Sequence, residues 1–248
     1  MRSQTPFLFG QVVFCVALLL MITGPARAED VKESFANISE GALLTTIPKW
    51  SHATGNTDNW VLTNFGTSDG NGFEAGATGA YHRTLSDSEA VTGSSPHSFK
   101  TTIRFTGSTA WASVHIDLLE SGGINGCGIR FDGGPSDGST DTVIGISNGG
   151  TYWGDVKYDN LKTHWQANVW YVIEINGLSL GGGGLKATVT IYDKSNPSNK
   201  LADNSPIAIY GNPMTFDKID TISISSVGAE RAFQIGEIDL GKSSDVSK

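Results

Sequence analysis

Two alternating runs within residues 101–119 constrain the fold more than any other stretch of the chain. Ile103 and Phe105 alternate with Thr102, Arg104 and Thr106. Further on, Ala112, Val114, Ile116 and Leu118 alternate with Trp111, Ser113, His115 and Asp117. Successive side chains of a strand point to opposite faces, so each run has an apolar face and a polar one. The break at 106–110 reads as a turn, and the two runs as a hairpin. No stretch after residue 28 sustains a helical period, and glycine, serine, threonine and asparagine punctuate short alternating runs throughout. Such a pattern specifies an all-β chain.

Residues 1–28 stand apart. Arg2 precedes an apolar run at 12–22, Gly24-Pro25 breaks it, and Ala26-Arg27-Ala28 supplies a small-x-small cleavage site. This is the form of a secretory signal peptide, and its apolar core is short for a membrane span of roughly 20 residues. The mature chain is expected to begin at Glu29, to be secreted (extracellular or periplasmic), and to keep no stable membrane insertion. Removing Arg2 and Arg27 leaves 15 basic against 25 acidic residues, a net charge of −10. That balance argues against nucleic acid or an anionic membrane as partner, since both need basic patches. It leaves room for a local basic groove.

Cys127 is the one cysteine outside the leader, so no intramolecular disulfide forms and a sizeable core must hold the domain. In Gly126-Cys-Gly-Ile-Arg-Phe131 it reads as a small strand residue rather than a nucleophile. Further strands are expected at 31–35, 59–65, 80–85, 128–131, 142–147, 151–157, 169–176, 185–193, 219–225 and 231–240. The last strong pair, 169–176 and 185–193, joins across the glycines 181–184. With no helices between strands, the expectation is a two-sheet antiparallel sandwich forming one domain over 29–242, followed by a flexible tail, 243–248.

Three stretches carry a family likeness: Trp170-Tyr-Val-Ile-Glu-Ile-Asn176, the strand 185–193 after it, and Asp217-Lys-Ile-Asp-Thr-Ile-Ser-Ile224 with Phe233-Gln-Ile-Gly-Glu-Ile-Asp-Leu240. Together they resemble the concanavalin A-like lectin/glucanase superfamily, including laminin-G-like domains of secreted bacterial proteins. The resemblance implies a jelly roll whose last strand returns beside the first, with carbohydrate bound or cleaved on a concave face.

Retaining glucanases of that fold carry Glu-x-Asp-x-(x)-Glu, which sets two carboxylates about 5 Å apart as nucleophile and acid/base. Glu237-Ile238-Asp239 matches the first half, but Leu240-Gly241-Lys242 follows and the third carboxylate is missing. Glycoside hydrolysis is therefore the weaker enzymatic reading. The resemblance also implies a structural Ca²⁺, for which Asp239 with Glu33 or nearby carbonyls is the candidate set, because Ca²⁺ takes six to eight oxygens. Asp132, Asp137 and Asp141 form a competing loop, which reads more simply as a solvated turn.

If the strands at 101–105, 111–119, 128–131 and 169–176 share one sheet, then Arg104, Trp111, His115, Asp117, Arg130 and Glu174 share its polar face. Aromatic faces stack on sugar C–H surfaces while charged groups bond hydroxyls, so this set suits a polysaccharide. A polysaccharide lyase would need a cation on the uronate carboxylate, Arg104 or Arg130, and a proton carrier, His115, Tyr81 or His82. Trp50, Trp60, Trp153 and Trp165 are core or rim residues first and sugar platforms second. The five histidines lack close metal-ligand spacing, which disfavours a catalytic zinc. The expectation is a carbohydrate-binding module without catalysis; a lyase is the first alternative, and a non-catalytic adhesive or structural surface domain the second.

Overall fold

The computed structural model describes residues 30–35, 37–55, 60–66, 70–76, 78–106, 112–120, 125–133, 143–147, 163–181, 185–207, 209–210, 217–228 and 231–242. The leader, Trp111, Asp137, Asp141, the expected strand at 151–157, Trp153 and the tail lie outside them. The described strands are β1 (Val31–Glu33), β2 (Trp50–Gly55), β3 (Val61–Asn64), β4 (Asn71–Glu74), β5 (Gly79–Thr84), β6 (Val91–Thr92), β7 (His97–Phe105), β8 (Ala112–Leu119) and β9 (Gly126–Gly133). They continue with β10 (Val143–Ser147), β11 (Thr163–His164), β12 (Trp170–Leu180), β13 (Leu185–Asp193), β14 (Asn196–Pro206), β15 (Ile209–Tyr210), β16 (Lys218–Ile219), β17 (Thr221–Gly228) and β18 (Phe233–Lys242).

Two large antiparallel sheets form a jelly-roll sandwich. The first runs β14-β13-β12-β7-β18-β4-β3, with β1 paired to β18; the second runs β11-β10-β9-β8-β17-β5-β2, with β15 paired to β9. The first described strand thus lies beside the last, Val31 opposite Leu240. The β12/β13 pair forms as the sequence indicates, from Tyr171↔Asp193 to Leu180↔Leu185. A register shift between Asn176 and Ser179 is turned by Gly177 at φ 65°, a conformation that glycine adopts without steric cost.

The expected hairpin does not form. β7 pairs with β12 and β18 in the first sheet, whereas β8 pairs with β9 and β17 in the second. Their apolar faces meet across the core instead of standing side by side. Alternation fixes which face of a strand is buried but not which strand lies beside it, and a sandwich can send successive strands to opposite sheets. Six strands lie outside the expected ones: β2, β4, β6, β11, β14 and β15. β2 and β4 are short and rich in polar and small residues, and β14 is almost wholly exposed at a sheet edge, where its prolines interrupt no ladder on the free side.

Ile103, Phe99 and Phe105 from β7 meet Val114, Ile116 and Leu118 from β8 in one buried cluster. At one end Trp165 packs on Phe105, Phe131, Phe233 and Tyr171, with ring centroids 5.1–5.8 Å apart. At the other, Trp60 lies 4.6 Å from Tyr81 and 5.6 Å from Phe73. Trp50, Trp60 and Trp165 are thus core residues and not sugar platforms. Aromatic pairs at such distances add about 0.5–1.5 kcal/mol each beyond their buried area.

One charge crosses between the sheets. Arg83 of β5 stands in register with Trp50 and Ile222, both buried, so it points inward and is only 3% exposed. Its Nε donates to Glu33 Oε1 of β1 at 2.6 Å, and its Nη2 to Glu89 Oε1 at 3.1 Å. Glu89 also accepts Lys49 Nζ at 2.8 Å and the Ser86 N–H and hydroxyl. Burial raises the Glu89 pKa, but the bonds from Arg83, Lys49 and Ser86 outweigh it and hold the group at about 2.

Because that folded-state pKa lies below the ordinary 4.5, the contribution of Glu89 to stability is complete above about pH 4.5 and is lost as pH falls toward 2. Urea unfolding followed across that window should show a declining midpoint, and Glu89→Gln should flatten the decline. Arg83→Met takes the guanidinium from Glu33 and one of several donors from Glu89, and should cost about 3 kcal/mol in the same measurement at neutral pH.

Candidate functional site

The outward face of the second sheet follows from its inward one. On β8, Val114, Ile116 and Leu118 are fully buried in the core, which turns Ser113, His115, Asp117 and Leu119 outward. On β9, Cys127, Ile129 and Phe131 face the core, leaving Gly126, Gly128 and Arg130 outward. Ile222 and Ile224 do the same for Ser223 and Ser225 of β17, and Tyr81 for His82 of β5. Tyr81 is 0% exposed and stacks in the core, so it is not available to a ligand on this face.

Register lines these groups into two cross-strand rows. One runs Ser51–His82–Ser223–Asp117–Gly128, and its neighbour Ser225–His115–Arg130. Ser113, Asp117 and Ser223 are buried although they face outward, and His82, His115 and Arg130 are half-buried, so the strip is recessed. Burial, and then the Arg130 charge, push the His115 imidazole down to about 4. Burial lowers His82 as well. Near neutral pH both rings are uncharged, with one nitrogen donating and one accepting.

Arg104 and Glu174 lie elsewhere. They sit on the outward face of the first sheet, two strands of which, β7 and β12, were expected beside β8 and β9. Arg104 lies 4.8 Å above the Trp170 ring and 5.9 Å from Phe65, and donates to Gln234 Oε1. Glu174 accepts Lys100 Nζ at 3.1 Å and the Tyr192 hydroxyl at 2.9 Å. The six-residue set read from the sequence therefore divides: His115, Asp117 and Arg130 come together, Arg104 and Glu174 are on the other sheet, and Trp111 is outside the described residues. Ser51, Ser223, Ser225 and Gly128 were missed. Ser223 and Ser225 alternate with the buried Ile222 and Ile224 as His115 does with its neighbours, but serine alone marks no chemistry.

The calcium pair also separates. Glu33 is opposite Ile238 and Asp239 is opposite Lys32, so the two carboxylates point to opposite faces of the first sheet. Glu33 is bound by Arg83, and Asp239 stands in register with Lys32 and Lys100. These two residues do not form a common cation site. Among the described residues no three His, Cys, Asp or Glu side chains cluster as metal ligands. No described helix is long and apolar enough to cross a membrane. Cys127 is wholly buried; burial, and next the Asp117 charge, push its thiol pKa far up, which makes it inert.

No family model and no curated protein matches the chain. Among solved structures, the globular domain of T. cruzi calreticulin is similar at a TM-score of 0.50 and 10% identity, covering 83% of this chain and 88% of that one. The alginate lyase Aly36B is similar at 0.48 and 10% identity, covering 88% and 98%. The exoplasmic/lumenal domain of VIP36, in a Ca²⁺- and Man2-bound form, is similar at 0.43 and 10%, covering 88% and 89%. At such identities the likeness is one of fold. That fold is the two-sheet antiparallel jelly-roll sandwich expected from the sequence.

The Arg104 cluster acts as packing, so Arg104→Ala should lower stability by about 0.5–2 kcal/mol in chemical denaturation. A maleimide reagent should label Cys127 only after the protein is unfolded.

Proposed function

We propose that this is a secreted carbohydrate-binding domain whose polysaccharide ligand lies along the polar strip on the outward face of the second sheet. One observation carries the reading: the row Ser51–His82–Ser223–Asp117–Gly128 crosses five adjacent strands with short or hydrogen-bonding side chains throughout. At about 4.8 Å per strand the row is roughly 19 Å long, a length that suits several linked sugar rings better than one small molecule. Serine hydroxyls and neutral imidazoles both give and accept hydrogen bonds. Asp117 accepts only and Arg130 donates only, so the strip can match hydroxyls in either sense. Arg130 adds affinity for an anionic sugar despite the net negative charge of the chain.

His115 opposite Arg130 favours a second reading, a polysaccharide lyase. Arg130 would pair with a uronate carboxylate and so stabilise the charge that develops when the C5 proton leaves. Neutral His115 would accept that proton and pass it to the departing oxygen as the C4–O bond breaks, leaving an unsaturated sugar, a free hydroxyl on the departing chain and a neutral imidazole. Such activity would rise as pH rises through about 4, where His115 loses its own proton.

Affinity electrophoresis in sodium alginate and in a neutral glucan tests both. Retention of the wild-type chain is expected, with Arg130→Ala weakening it about tenfold, the worth of a charge-assisted bond of ~1.5 kcal/mol, and His115→Ala about fivefold, the worth of a neutral bond of ~1 kcal/mol. Release of an ultraviolet-absorbing unsaturated product would establish the lyase. Absence of retention on every polysaccharide tried would instead favour an adhesive surface domain that binds protein.

A further inference from the structure

We infer that Gly128 is a positioning residue of the polar strip, kept without a side chain so that the Asp117 carboxylate can lie over β9; the inference rests on the carbohydrate-binding reading above. Gly128 is directly opposite Asp117 on the neighbouring strand. A Cβ built on Gly128 would stand 1.7 Å from Asp117 Oδ1 and 2.8 Å from its Cγ, so the carboxylate occupies the volume that any other residue's side chain would fill. The next atom, Ile116 O at 3.1 Å, asks only for a shift of a few tenths of an ångström.

Backbone conformation does not demand this glycine. Gly128 is absent from the positive-φ glycines and sits in the interior of a regular ladder, five residues of which pair with β10. Glycine weakens a strand interior, because it costs more entropy to order and packs nothing. Its neighbour Gly126 differs in kind: there a Cβ would meet the backbone oxygen of Leu118 at 2.1 Å, a backbone obstacle independent of any functional group. At Gly128 the obstacle is a carboxylate that is itself 9% exposed, on the same face as His115 and Arg130.

The consequence is directional. Asp117 leans off its own strand toward β9, so its acceptor oxygens stand over the strand that carries Arg130. A ligand hydroxyl placed between β8 and β9 then meets an acceptor and a donor at once. With a side chain at 128 the carboxylate must rotate away, and that paired geometry is lost even though Asp117 remains.

Four proteins test this: Gly128→Ala, Asp117→Asn, Asp117→Ala and the double variant Gly128→Ala/Asp117→Ala. In thermal unfolding, Gly128→Ala is expected to lower Tm, and adding Asp117→Ala to recover most of the loss because the contested space is then empty. An equal loss of Tm on both backgrounds would overturn the inference, and the double variant remains measurable should Gly128→Ala alone fail to fold. In alginate, Gly128→Ala and Asp117→Asn are each expected to weaken retention at least tenfold, with the double variant no weaker than Asp117→Ala. Retention of Gly128→Ala equal to wild type would also overturn it. Failure of the wild-type chain to be retained would remove the binding reading, while the Tm comparison would still decide whether Asp117 and Gly128 compete for one volume.

Discussion

Tyr81, Ile224, Ile116 and Ile129 form one row across β5, β17, β8 and β9, each residue fully buried. The rest of the second sheet depends on this row. A strand slipped by one residue would turn its whole apolar set to water, at about 1.5–3 kcal/mol for each large side chain exposed. Register is therefore pinned from inside, and the outward neighbours have no freedom in where they stand. His115 meets Arg130, and Asp117 meets Gly128, because isoleucines on the other face have fixed the alignment. Polar groups that contribute little to folding acquire a defined geometry from apolar groups that contribute most of it.

The sandwich is closed by means other than a disulfide. The aromatic hubs at Trp165 and Trp60 draw residues of both sheets together, and Arg83 ties β1 of the first sheet to β5 of the second through Glu33. A buried ion pair rarely adds much net stability, since desolvation consumes the Coulombic gain. Its value here is specificity. Glu33 can approach Arg83 only when β1 pairs with β18 in the observed register, so the charge discriminates against misdocking of the first strand. The same bond turns Glu33 inward, away from the face that carries Asp239.

The two outward faces have different characters. On the first sheet the large side chains are paired among themselves: Arg104 with Trp170 and Gln234, Glu74 with Gln234, Glu174 with Lys100 and Tyr192. On the second sheet the groups are shorter, recessed and aligned in rows. The first face is built of long charged and aromatic side chains, the second of serine, histidine and a carboxylate over a glycine.

Much of this protein was legible from residues alone. Alternation at Val114, Ile116 and Leu118 identified the core face of β8, and with it the outward position of His115 and Asp117; the Gly126–Phe131 stretch did the same for Arg130, and the long pair β12/β13 was visible from its glycine-linked runs. These are local properties, dictated by the two-residue period of a strand and by the cost of exposing apolar surface. The tertiary structure alone decided which strands are neighbours. Sheet partnership arises from contacts between residues far apart in sequence, such as Asp117 with Ser223, and a strand's own pattern carries no record of them. That is why Arg104 and Glu174 left the site, why Glu33 and Asp239 parted to opposite faces, and why Gly128, chemically silent in the sequence, took its meaning only from the carboxylate across from it.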